Sequence, residues 1–121
     1  MKSGRSRVLN QSPSNTGSRV LASSFLQSDP ELREIVEDFV ARLPERISDL
    51  KKAHDALDWS QLKLLAHRLK GAGGSYGYPD LSRLGAAMES SFAACRADGF
   101  STWMRELAEL ANAARAGLAT T

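Results

Sequence analysis

Leu62-Lys63-Leu64-Leu65-Ala66-His67-Arg68-Leu69-Lys70-Gly71-Ala72-Gly73-Gly74-Ser75-Tyr76 is the stretch on which the reading of this chain turns. On a helical wheel at about 100° per residue, Leu62, Leu65, Leu69, Ala72 and Tyr76 fall within about 80° of one another and predict a buried stripe. His67 lies opposite that stripe and is expected to face water. Ser60, Lys63, Lys70, Gly71 and Gly74 share its side of the helix, with Leu64 at the edge of the group.

Gly71, Gly73, Gly74 and Gly77 crowd one end of this helix. A glycine inside a helix costs about 0.5–1 kcal/mol relative to alanine, so such a concentration calls for a physical use. Gly73 falls on the core side, where its use is close helix packing. Gly71 and Gly74 fall on the outer side, one and two turns beyond His67, where they leave space for another molecule to descend on the imidazole. Lys70, three residues along, brings a cation within reach of a phosphoryl group bound there.

Charges roughly 6 Å apart at an exposed surface interact by only about 1 kcal/mol, so Lys70 alone cannot drive phosphoryl transfer. That chemistry depends on positioning and on neutralisation by metal and cations, which a partner would have to bring as an acid cluster with Mg²⁺. His67 supplies the nucleophile. An exposed imidazole, with a reference pKa of about 6.5, is largely neutral at pH 7 and keeps a free nitrogen lone pair.

Outward from this stretch the pattern is helical throughout. Asp58, with Gln61 three residues on, starts the central helix, expected over residues 59–76. Upstream, Ser28-Asp29-Pro30-Glu31 reads as a helix start, followed by Leu32, Ile35, Val36, Phe39, Val40, Leu43, Ile47, Leu50 and Leu57 at helical spacing. Pro44 falls within that run and either kinks or restarts the helix; because the stripe continues in phase, a kink is predicted. Downstream, Gly77-Tyr78-Pro79-Asp80 turns into a third helix with a core stripe of Leu81, Leu84, Gly85, Met88, Phe92 and Cys95, closed by Asp98-Gly99. A fourth helix carries Trp103, Met104, Leu107, Leu110 and Ala114 on one side and should end near Gly117. Four amphipathic helices with short connections predict an all-α fold, an antiparallel up-and-down four-helix bundle over residues 25–118.

The 121 residues suffice for one domain, and the abundance of Ala, Leu, Glu, Arg and Lys favours helices over strands. The net charge of +2 conceals an asymmetry. Residues 1–24 hold Lys2, Arg5, Arg7 and Arg19 and no acid, leaving 12 basic against 14 acidic side chains in the remainder. Rich in Ser, Asn, Thr and Gly and without apolar periodicity, residues 1–24 are expected to be a disordered basic tail that binds neither nucleic acid nor membrane. Val20-Leu21-Ala22 is too short for the apolar centre of a secretory signal, and no run approaches the roughly 20 apolar residues of a membrane span. The single Cys95 cannot pair internally, so a reducing cytoplasm is expected.

His67 and His54 fall on different helices and no Cys or His recurs at ligand spacing, so no metal site is expected. His54 continues the apolar stripe of Leu43, Ile47 and Leu50 and is expected to be partly buried and not phosphorylated. Trp59, Tyr76, Trp103, Met88 and Met104 sit at core spacing. Leu64 reads equally as ordinary surface or as an anchor for a partner's helix. The chain has no glycine-rich phosphate loop and no room for a nucleotide-binding domain beside the bundle, which excludes autonomous kinase activity.

The segment from Ala66 to Gly77, followed by Leu81 and Leu84, closely resembles the signature of histidine phosphotransfer domains of multistep phosphorelays, and the likeness extends from about Phe25 through the fourth helix. The turn Tyr76-Gly77-Tyr78-Pro79 is bulkier than the small or leucine-like residues common there in that family. The resemblance implies a phosphoryl carrier, not an enzyme, with His67 as phosphoacceptor, Lys70 assisting the phosphate and Gly71 keeping the surface open. It implies no cofactor of its own, Mg²⁺ being supplied by the partner. Its partners would be receiver domains of a hybrid histidine kinase or a response regulator, docking on Ser60, Lys63, Leu64, Arg68 and Gly74 of a monomer. Two rival readings stand beside it: an unphosphorylated module whose same face docks a receiver or another helix bundle only to block it, and a domain cut from a larger hybrid or chemotaxis-type kinase.

Overall fold

The computed structural model describes residues 20–119, and every regular element among them is helical. A short helix α1 (Ser24–Ser28) and a 3₁₀ turn (Pro30–Leu32) lead into α2 (Arg33–Ala41), α3 (Leu43–Asp55), α4 (Trp59–Ser75), α5 (Pro79–Ala93) and α6 (Phe100–Ala119). Local chemistry sets the starts as the sequence suggests. The Asp29 carboxylate accepts the Glu31 amide at 3.2 Å, and Asp58 accepts the Gln61 amide at 3.1 Å, each occupying an amide that the first helical turn leaves unpaired.

At Pro44 the helix restarts, where a kink was predicted: α2 ends at Ala41 and α3 begins at Leu43 after a one-residue interruption. Arg42 keeps right-handed backbone angles while its amide reaches back to the carbonyls of Asp38 and Phe39, and Pro44 sits in the first turn of α3, where no amide donor is needed. The stripe therefore stays in phase across the break, and Val36, Phe39, Val40, Leu43 and Leu50 are buried together. They share one core with Leu62, Ala66 and Leu69 of α4, Leu81, Met88 and Phe92 of α5, and Met104, Leu107, Leu110 and Ala114 of α6. Trp59, Tyr76 and Trp103 are half-buried against it, and His54 stacks on Phe100 with ring centroids 3.8 Å apart, partly buried as its spacing implied.

Three expected core or boundary residues behave differently, two of them for the same reason. Leu57 and Cys95 have left-handed backbone angles, φ 52° and 56°. Each ends its helix with the paired hydrogen bonds of a reversed last turn: Leu57 and Asp58 donate to His54 and Ala53, and Cys95 and Arg96 donate to Phe92 and Ser91. The turn throws both side chains outward, so both are exposed. α5 thus closes at Cys95, ahead of Asp98-Gly99, which instead precedes α6. Ile35, also assigned to the stripe, is 49% exposed at its edge.

Of the segment expected to be a disordered tail, residues 1–19 lie outside the described residues. Residues 20–24, however, are ordered against the helices. The Leu21 amide donates to Ala113, the Ser24 amide donates to Gly77, and the buried Ser23 hydroxyl donates to the Tyr76 carbonyl at 2.6 Å. Gly117 is built into this contact: a β-carbon there would lie 1.9 Å from the Leu21 carbonyl oxygen, so it serves the strap and α6 continues past it to Ala119. No helix among the described residues is long and apolar enough to cross a membrane.

Candidate functional site

The buried side of α4 is made by Leu62, Ala66, Leu69 and Gly73. Its centre is rotated by about 50° from the expected stripe of Leu62, Leu65, Leu69, Ala72 and Tyr76, leaving Leu65, Ala72 and Tyr76 only half-buried, because glycines let α5 approach the backbone on that side. A β-carbon on Gly85 of α5 would lie 2.6 Å from the Lys70 amide nitrogen and 3.0 Å from the Ala66 carbonyl; one on Gly73 of α4 would lie 2.7 Å from the Ser82 nitrogen. These pairings run in opposite directions along the two helices, so α4 and α5 are antiparallel and nearly in backbone contact. Glu89, one turn beyond Gly85 on the same side of α5, is thereby set against the stretch of α4 that holds His67 and Lys70.

His67 is exposed, with 64% of its side-chain surface open, and its Nδ1 lies 2.9 Å from Oε2 of Glu89. The other carboxylate oxygen, Oε1, is 3.5 Å from Nζ of Lys70. Burial works to raise the Glu89 pKa, but the hydrogen bond from His67 and the charges of His67 and Lys70 outweigh it, and the carboxyl is held below its ordinary value. At neutral pH it is a carboxylate and can only accept, so the ring donates from Nδ1. In the neutral imidazole the lone pair is then on Nε2, which makes no hydrogen bond to any described residue.

Around the ring the surface is open where the glycines foreshadowed it. A β-carbon on Gly71 would meet nothing within 4 Å, and one on Gly74 would meet only the Ser82 hydroxyl, at 3.7 Å. Ser60, Lys63, Arg68 and Lys70 are exposed on this helix, and Leu64 is 40% exposed. The bulky turn that follows does not belong to this face. Tyr78 is buried in the core, and Tyr76 stacks on Phe39 with centroids 4.8 Å apart.

Glu89 is the member of the site that sequence reasoning missed. Its available signal is an acid one turn after a glycine in a core stripe, but the register of α5 on α4, which decides what that acid meets, is set by interhelical packing.

The model of the family described as Hpt domain matches residues 34–117, which spans α2 through α6 up to Gly117. No curated protein and no solved structure matches the chain.

Proposed function

The chain belongs to the Hpt domain family, phosphocarriers of two-component phosphorelays, and on that footing we propose that His67 accepts a phosphoryl group on Nε2 and exchanges it with an aspartate of a receiver domain. The observation that carries this reading is the exposed imidazole whose Nδ1 is tied back by Glu89 while the neighbouring position, Gly71, is empty space. The Nε2 lone pair attacks phosphorus, the N–P bond forms as the P–O bond to the aspartate breaks, and that electron pair returns to the carboxylate. Lys70 lies close enough to move from Glu89 to the arriving phosphoryl oxygens, a charge-assisted contact made only while phosphate is present. The acid cluster and Mg²⁺ needed to neutralise the transferring group belong to the receiver.

In this reading α2 with α3, α4, α5 and α6 are the four rods of an up-and-down antiparallel bundle, and the face formed by Ser60, Lys63, Leu64, Arg68, Gly71 and Gly74 is where the receiver sits. The protein acts as a cytoplasmic monomer. Incubation with a receiver carrying labelled phosphate tests it: label should pass to the wild-type chain as an acid-labile, base-stable adduct and should be lost from His67→Gln. Undiminished transfer to that variant would refute the assignment.

A further inference from the structure

The charged side chains flanking His67 along α4, Lys63, Arg68 and Lys70, are all cations. The acid that meets the ring comes from α5: Glu89, 2.9 Å from Nδ1, only 22% exposed, and fixed by the close approach at Gly85. Among the described side chains, the negative charge presented to Nδ1 is therefore that one carboxylate.

When Nε2 attacks phosphorus, a ring that already carries a proton on Nδ1 becomes a cationic phosphoimidazolium. If that proton stays, onward transfer expels neutral imidazole: the acceptor oxygen attacks, the N–P bond breaks, and its electron pair returns to Nε2. If the proton is lost, the leaving group is imidazolate, a far stronger base and a poor one. Resting on the carrier reading above, we propose that Glu89 is a positioning residue that keeps the Nδ1 proton on His67 after phosphorylation, so that the phosphoryl group remains ready to leave. No proton then has to move in either direction of the relay. Glu89 sets the lifetime of the carrier as well as the orientation of its nucleophile.

The test uses the full chain, phosphorylated with phosphoramidate in place of a protein donor, with decay of the phosphohistidine followed by phosphorus NMR between about pH 5 and 9. Glu89→Gln retains an amide oxygen able to accept from Nδ1 but removes the charge, and nitrogen NMR of the unphosphorylated ring reports whether the Nδ1–H tautomer survives. The midpoint of the decay profile is expected to move to lower pH in Glu89→Gln, and at about pH 8 the phosphorylated variant should persist roughly fivefold longer than wild type. Glu89→Asp should restore part of the wild-type profile. Coincident profiles for wild type and Glu89→Gln would overturn this inference alone, whereas absence of phosphate from His67 in the wild type would contradict the carrier reading and this one with it.

Discussion

Gly71 and Gly85 separate access from packing within a few residues of His67. A β-carbon on Gly71 meets nothing, whereas one on Gly85 runs into the backbone of α4. Gly71→Ala should therefore stabilise the fold by about 0.5–1 kcal/mol through helix propensity, and Gly85→Ala should destabilise it by about 1–3 kcal/mol through overpacking, as read by urea denaturation. Transfer should show a different pattern. Gly71→Leu is expected to remain folded and to accept phosphate from phosphoramidate, yet to slow transfer from a receiver by at least about tenfold, because only the large donor must descend on that side. The outward face of His67 was legible in the sequence because helical periodicity alone sets which residues lie opposite a leucine stripe. Glu89 was not, because its pairing with His67 depends on how two helices register through glycines, and no local pattern encodes that.

Among the elements, the helix starts were legible and the helix ends were less so. Asp29 and Asp58 cap through their own side chains, a property carried by residue type. The ends at Leu57 and Cys95 use left-handed residues with β-carbons, which disguises them as further turns of an apolar stripe. For Leu57, 62% exposed, the disguise has a measurable cost. Leu57→Gly relieves the left-handed strain and gives up little burial, so it should raise stability by about 0.5–1 kcal/mol in chemical denaturation; a loss of that size would mean the side chain packs more than its exposure indicates. The strap at residues 20–24 was hidden for another reason: its attachment runs through backbone amides, the Ser23 hydroxyl and the space at Gly117, none of which leaves an apolar period to read.

In the molecule as a whole, the all-helical class and most of the core followed from composition and spacing, while the inward turn of Tyr78 did not. Its phenol is buried with no hydrogen-bond partner, and burial pushes its pKa up despite an opposing influence from the Arg33 charge. A pKa raised in the folded state means stability that is intact below the ordinary tyrosine value and lost as pH climbs through the folded one. Tyr78→Phe should thus gain about 1 kcal/mol at neutral pH and lose part of the alkaline unfolding seen by circular dichroism. That core holds α4 and α5 in the register on which the site depends, and through it the outward imidazole at position 67. Phosphorus NMR of the full chain mixed with a phosphorylated receiver is the decisive measurement: a phosphoimidazole resonance with phosphorus on Nε2 of His67 is expected, absent from His67→Gln. A phosphoimidazole signal that persists in that variant, or phosphorus bonded to Nδ1, would contradict it.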